Sequence, residues 1–406
     1  MKRIVFLLSA ILSMCPVRAQ VVPWYMRKDF GKEKKQEKVQ KKTQAETQES
    51  ILEKVVENVS FDGSQATDSS ATLPKMVRED VIVTLLLPFT ENGSPNPNAL
   101  DFYSGALMAA KKIGEDGIKL HINAIDCHQG YDTSVPQASD IVIGPVDSDD
   151  IATAIREKGI KTIISPLDPK SEHLADSLSV IQVPSSTTAR AAALGKWLAE
   201  DLRPDENLYV VRENADTVDP ISRITLDILD TIGIHYSFIN GNAAISQVVN
   251  QETKARILAA SDKEWFVRET IRNVSAIGLL NNNVSLYASS KVRNFENLEV
   301  ELLHNCNLHI CPTYSVNYSD KATIAFILGY RALFQCEPNS FAFHGYDTVT
   351  YLTAAFRTFG PDWPTSLRYL KMNGMQASFD FSTEDGRHNT AVRRMTYNRD
   401  FSISVE

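Results

Sequence analysis

The hydrophobic pattern divides the chain at about residue 80. Before it, apolar residues are scattered through charged and polar sequence, apart from one run at 4–12; after it, short apolar runs alternate with segments of helical periodicity. The first short run, 81–89, is apolar on both faces and is followed by a polar loop and an amphipathic segment. That pattern predicts a strand buried centrally in a parallel sheet with helices on each side, its carboxyl end facing a binding crevice.

Further strand-like runs fall at 120–125, 141–143, 162–164 and 180–183, with helices predicted over 99–113 and 151–158. In the first helix Leu100, Tyr103, Leu107, Ala110 and Ile113 recur at helical spacing, with Asn98 the expected cap. The alternation predicts right-handed βαβ units. Residues 130–140 are too few for a full crossover helix, so a truncated one is expected there. A second array opens after Pro184-Ser185-Ser186-Thr187: helices at 188–202, 221–232 and 263–274, and strands at 208–211, 235–239, 256–259, 284–288 and 308–314. Two amphipathic helices come late, at 320–334 and 346–359, and strand-like runs at 377–381, 392–397 and 401–405 close the chain. Those helices need a sheet to cover and the first array is short of helices, which predicts a return to it. The expected organisation is α/β with two lobes, 80–184 plus 315–375 and 185–314, with 376–406 returning across both.

Composition alters the picture at the N-terminus. Lys2 and Arg3 precede the apolar run, and Val17-Arg18-Ala19 offers compact residues before a cut, which reads as a secretory signal over 1–19 with maturation at Gln20. Leu12-Ser13-Met14-Cys15 half resembles a lipobox, but Met14 is large for its position, so export without a lipid at Cys15 is the favoured reading. Residues 20–79 have linker composition: eight basic and three acidic side chains between Arg27 and Lys42, then acidic and Ser/Thr/Asp-rich sequence. Within them Ile51, Leu52, Val55, Val56 and Val59 are spaced for one short amphipathic helix. No later run is long enough to span a bilayer, so the mature chain is expected to be soluble once exported, and the leader makes the periplasm or cell envelope its expected location. The formal charge is −8, and loss of Lys2, Arg3 and Arg18 takes it to −11 (−8 less three), which argues against a nucleic-acid partner.

Chemistry-bearing clusters are few. His304, Cys306, His309 and Cys311 are metal-capable, but their spacing is not that of a CxxC pair or an HExxH site, and a Cys306–Cys311 disulfide or simple burial is the favoured reading. Asp126-Cys127-His128 ends a predicted strand and invites a nucleophile-and-base reading; neighbours on a strand point to opposite faces, so the pair meets only if the strand has ended. No Gly-rich phosphate loop, nucleophile elbow or Walker sequence is present. The expectation is therefore a non-enzymatic protein without cofactor or metal.

The ordered words Leu86-Leu87-Pro88-Phe89, Phe102-Tyr103-Ser104-Gly105-Ala106-Leu107, Asp140-Ile141-Val142-Ile143-Gly144-Pro145, Ile164-Ser165-Pro166-Leu167, Gln182-Val183-Pro184-Ser185-Ser186, Tyr330-Arg331-Ala332-Leu333-Phe334 and Gly345-Tyr346-Asp347 resemble the type I periplasmic binding proteins. Within that group of leucine-binding-protein-like chains, the sequence is similar to the envelope branch related to LppC-type lipoproteins, although the linker carries no peptidoglycan-binding repeat. The resemblance implies two lobes joined by three crossing strands, with ligand captured as they close. By position it implies that Ser165, Ser186 and Thr187 hold a ligand carboxylate, that Asp216 and Tyr314 hold an ammonium, and that Ser185 lies among the ligand-binding residues. Each of these is equally readable as turn chemistry at a strand end. Gly144-Pro145 and Gly345-Tyr346-Asp347 read as structural, with Asp347 capping its own helix. The function so implied is capture of a small polar solute, such as an amino acid; the alternative is an interaction protein that uses the same fold to bind a cell-wall synthesis partner.

Overall fold

The computed structural model describes residues 80–406 apart from 168–171, 177–178 and 384–385. The predicted leader, Cys15, the charged linker and the 51–59 helix lie outside the described residues.

The first sheet contains β1 (Asp80–Leu87), β2 (Lys119–Asp126), β3 (Ile141–Ile143), β4 (Ile163–Ser165) and β5 (Val180–Gln182), in the spatial order β2-β1-β3-β4-β5 and all parallel. β1 is interior, and its two faces feed two cores. Val81, Val83, Leu85 and Leu87 pack under α1 (Pro97–Glu115), while Leu86 joins Val142, Ile163 and Val180 beneath α2 (Ser148–Arg156) with Ile151 and Ala154. This is why its apolar run is continuous where an edge strand such as β2 alternates. The short crossover between β2 and β3 holds a single turn, Ser134–Gln137.

The second sheet is built from β6 (Asn207–Arg212), β7 (Ser237–Asn240), β8 (Ala255–Ala259), β9 (Val284–Tyr287) and β10 (Leu308–Ile310), parallel in the order β10-β9-β8-β6-β7. Helices α3 (Thr187–Asp201) and α4 (Pro220–Ile232) cover one face through Leu194, Trp197, Leu198, Leu226 and Leu229. Helix α5 (Glu264–Gly278) covers the other through Phe266, Val267, Ile271 and Val274. β11 (Met395–Tyr397) and β12 (Ile403–Val405) extend the β10 edge antiparallel. Arg399, in the turn between them, donates to the carbonyls of Gly278, Asn305 and Val284 and so ties this late hairpin to the sheet.

The late helices α6 (Lys321–Phe334) and α7 (Ser340–Phe359) pack back on the first sheet through Phe326, Tyr330, Phe343, Tyr351 and Phe356. The described chain therefore passes between the sheets three times, at 183–187, 311–320 and 380–394.

Several local expectations are corrected. The cap of α1 is Asn96, whose Oδ1 accepts from the Asn98 and Ala99 N–H groups, with Pro97 as the first helical residue, the position where its missing donor costs nothing. α7 begins six residues before the predicted 346, capped by Asn339. Asp347 is consequently interior to its helix, wholly buried, and caps nothing there; its carboxylate instead accepts three backbone N–H bonds from Met375, Gln376 and Ala377 at 2.9, 2.7 and 2.9 Å. β10 stops at Ile310 rather than 314, because the chain leaves the sheet at Cys311-Pro312. Residues 377–381 yield only a two-residue strand, Ser378–Phe379, paired with Met372–Asn373.

Candidate functional site

The carboxyl ends of the parallel strands meet the passages between the sheets. β4 ends on Ser165, buried and in register with Gln182 of β5, and its carbonyl accepts the Val183 N–H at 3.0 Å. Ser185 and Ser186 follow on the first passage, both buried. Ser186 is the N-cap of α3, its Oγ accepting the Ala189 N–H at 2.9 Å, so turn chemistry accounts for that hydroxyl. Thr187 Oγ1 accepts from Arg190 Nη2 at 3.1 Å. Tyr314 lies on the second passage, its carbonyl accepting from Arg293 and its ring meeting His344 of α7 edge-on at 4.6 Å between centroids. Asp216 stands apart. It is exposed in a turn where its N–H donates to Asn214 Oδ1 at 3.1 Å, and no ion pair or hydrogen bond among the described residues joins it to the other five.

Four residues that the sequence reading did not single out complete the junction. Arg190 donates to Ser290 Oγ at 2.9 Å as well as to Thr187, and its charge reaches Tyr314. It lies in the first turn of α3, where a cation opposes the helix dipole; that violation was the available signal. His344 is wholly buried, and its Nε2–H donates to the Pro166 carbonyl. Asn389 laces the first and third passages together. Its Nδ2 donates to the carbonyls of Val183 and Ser378, its Oδ1 accepts from Asp380 and Ala391, and its own carbonyl accepts from Ser186. Arg393 does the same for the second and third, donating to the carbonyls of Ser315, Met375, Gly374 and Ala377. Neither Asn389 nor Arg393 belongs to any motif, and periodicity carries no trace of them.

Buried polar atoms at this junction without a hydrogen-bond partner among the described residues include Ser185 Oγ, Tyr314 Oη and His344 Nδ1. Burial pushes the His344 imidazole down to about 4, so at neutral pH it is uncharged, and with Nε2 donating, Nδ1 is left as an acceptor. Burial also raises the Tyr314 phenol, against the opposing pull of Arg190, and keeps it protonated. Beside Arg190 a cavity of about 100 Å³ opens between α3, α4 and the ends of β8 and β9, with Thr187, Ser222, Thr225, Ser289 and Ser290 among its polar lining. Two cations, Arg190 and Lys291, and several hydroxyls line this cavity, while Tyr314 and His344 lie outside its lining, Tyr314 within reach of the Arg190 charge.

The fold has many counterparts among solved structures. A structure from Rhodospirillum rubrum assigned to a branched-chain amino acid ABC transporter superposes with a TM-score of 0.58 at 14% identity, over 80% of this chain and 99% of that one. An ABC transporter substrate-binding protein from Desulfitobacterium hafniense gives 0.51 at 18% identity, over 81% and 100%. The fold is that of the type I periplasmic binding proteins. Neither a protein-family model nor a curated protein matches the sequence.

On the type I frame the two catalytic or metal readings from sequence are resolved by placement. His304 Nδ1 pairs with the Asn398 carbonyl, Cys306 Sγ with the Leu303 carbonyl, and His309 Nδ1 with the Asn307 carbonyl. His309 is further stacked on Tyr287 at 4.5 Å, and these side chains with Cys311 form no shared ligand set among the described residues. Cys306 and Cys311 form no disulfide with each other, and Cys127 is likewise not in one. β2 ends at Asp126, so Cys127 and His128 do lie on one side, but burial and the carboxylates of Asp150 and Asp126 push the Cys127 thiol up to about 12. A thiol so raised is protonated at neutral pH and is no ready nucleophile.

Proposed function

We propose that the protein is an exported, non-enzymatic binding protein that captures a small carboxylate-bearing solute, an amino acid first among them, between its two lobes. The observation that carries the proposal is the pairing of buried Tyr314 Oη, which the Arg190 charge reaches, with the His344 Nδ1 of the ring packed against Tyr314, both atoms without a partner among the described residues. An unmet buried polar group costs about 1–3 kcal/mol, a cost that a ligand bonded to it removes. Arg190 with Thr187 and Ser290 suits a carboxylate, and a neutral His344 Nδ1 with the Tyr314 ring suits the N–H groups of an ammonium. Ser165 and Ser185 complete the first-lobe side, and Ser186 serves it through its cap. Asp216 plays no part unless the lobes rearrange. Asn389 and Arg393 hold the three passages in fixed register, so motion between lobes is a hinge about them, and ligand stabilises whichever state it binds better. Among the described residues no helix is long and apolar enough to cross a membrane. The R. rubrum and D. hafniense counterparts are named for ABC transporters, which supports service to a transporter. The order of the family words supports placement in the LppC-related envelope branch.

The test is a thermal-shift screen of the full chain against amino acids and small carboxylates, followed by calorimetry. A saturating ligand at 100 times its Kd raises the unfolding free energy by about 2.7 kcal/mol, and Arg190→Gln removes the shift while leaving the unliganded Tm within a few degrees. A blank screen sinks solute capture and leaves the fold to the competing role, docking of a cell-wall synthesis partner.

A further inference from the structure

A second cluster of ligand-bearing side chains lies on the first sheet's rim, at its β2 edge. Cys127 and His128 follow the last residue of β2, and Asp150 sits in the first turn of α2. Cys127 Sγ, a ring nitrogen of His128 and a carboxylate oxygen of Asp150 all lie within 4.8 Å of one another. His128 Nε2 and Asp150 Oδ2 are 3.9 Å apart.

The surroundings orient these groups as ligands. His128 Nδ1 lies 3.1 Å from the Thr90 carbonyl, so Nδ1 carries the proton and Nε2 presents its lone pair toward Asp150. Asp126 holds the turn rather than joining the set: Oδ1 accepts the His128 N–H at 3.1 Å, and Oδ2 accepts from Thr90 Oγ1 at 2.5 Å and Gln129 Nε2 at 3.2 Å. The Cys127 N–H is fixed to the Leu87 carbonyl at 3.0 Å, and the Cys127 side chain lies against the Leu86 and Ile151 core. The first turn of α2 adds Asp149 to the local negative charge, and Asp147 caps it. The nearby Lys158 ammonium is held over the Tyr131 ring, 4.0 Å from its centroid.

We propose that Cys127, His128 and Asp150 form a binding site for one divalent transition-metal ion, with zinc the best match. One thiolate, one imidazole and one carboxylate are a borderline-soft donor set that magnesium and calcium disfavour. Bonds of about 2.0–2.3 Å in a tetrahedron place ligand atoms roughly 3.3–3.8 Å apart. Closing from the present separations takes about an ångström, within reach of side-chain rotation by His128 and Asp150, each 46% exposed. The Cys127 proton leaves to solvent on binding, and the fourth position is open to water. The ion would clamp the end of β2 to the start of α2, on the rim that also carries Ser148, whose Oγ is buried and without a partner among the described residues.

The experiment is titration of the full, reduced chain with cobalt(II), then displacement by zinc with a chromogenic chelator as competitor. The expected result is one equivalent bound, with a thiolate-to-cobalt charge-transfer band in the near ultraviolet and tetrahedral visible bands. Cys127→Ser removes the charge-transfer band, and His128→Ala and Asp150→Asn each weaken zinc on the order of 100-fold or more, exceeding the loss of an outer-shell partner. The double variant Cys306→Ser/His309→Ala keeps both bands and affinity. The proposal is overturned if no equivalent binds at micromolar metal, or if the charge-transfer band survives in Cys127→Ser. Should that variant fail to fold, His128→Ala decides alone, since its side chain is half exposed: wild-type affinity in it overturns the site.

Discussion

Gly105 and Gly345 make the α1–α7 crossing possible, and replacing the first is a sharp test of how closely the two helices approach. A Cβ built on Gly105 stands 1.9 Å from the Ala342 carbonyl oxygen, 2.8 Å from its carbon and 3.0 Å from the Tyr346 nitrogen. All three are backbone atoms of α7, so no side chain can swing aside. Reciprocally, a Cβ on Gly345 stands 2.1 Å from the Phe102 oxygen of α1. In an unpacked helix, Gly→Ala stabilises by up to about 1 kcal/mol. Here α7 must retreat by about an ångström, and it carries Phe343, Tyr351 and Phe356 in the same core. A gap of that depth over ~100 Å² leaves ~100 Å³ of void, or roughly 2–3 kcal/mol at about 24 cal/mol per Å³. Gly105→Ala is therefore expected to lose roughly 2 kcal/mol net. Gly114→Ala, in the last turn of the same helix and with nothing within 4 Å of its Cβ, should gain a few tenths to about 1 kcal/mol. Urea unfolding followed by circular dichroism measures both midpoints. Gly105→Ala at or above wild-type stability would refute the close crossing, and the opposite signs within one helix separate packing from propensity.

Other consequences follow from buried polar groups. In Asp347→Asn one oxygen becomes a donor facing the N–H groups of residues 375–377, and the Arg393 charge loses its nearby carboxylate; a loss of about 2–5 kcal/mol is expected in the same assay, and a loss below 1 would sink the account. Stability should also fall on acidification. His344 and His309, pushed down by burial to about 4, let the unfolded chain take up protons first, so each loses stability as pH falls from about 6.5 toward 4, close to 2 kcal/mol apiece between pH 7 and 5. Asp347, raised by burial to about 6, runs the other way: its penalty on the fold is relieved as pH falls through about 6, returning roughly 1 kcal/mol. A net fall of about 2–3 kcal/mol between pH 7 and 5 is expected from urea midpoints, and a flat profile would contradict the neutral burial of the histidines.

Several family words turn out to be packing devices, which explains why they were legible without revealing a ligand. Gly105 and Gly345 are each other's clearance, and Gly144, at φ +87°, lets the chain pass the Leu86 carbonyl, from which a Cβ would stand 1.9 Å away. Ser186 was foreseen as either ligand or cap and is a cap. Ser165, Ser185, Thr187 and Tyr314 were placed by the strand-end rule at the junction, because the rule depends only on where parallel strands stop. Asp216 was chosen by the same rule, yet it lies in an exposed turn without contact to the others.

By itself the chain's apolar pattern determined the α/β class, the parallel core strands, the return of the late helices and where the parallel strands end, since burial on one or two faces is written into local spacing. Tertiary structure alone decided the partners: Arg190 beside Tyr314, His344 on Pro166, Asn389 and Arg393 across the passages, Asp347 on 375–377, and Asp150 on Cys127 and His128. Most of these contacts join residues tens to more than two hundred positions apart. Which of them meet depends on three chain passages and a late hairpin, long-range choices that a period of two or of 3.6 residues does not encode.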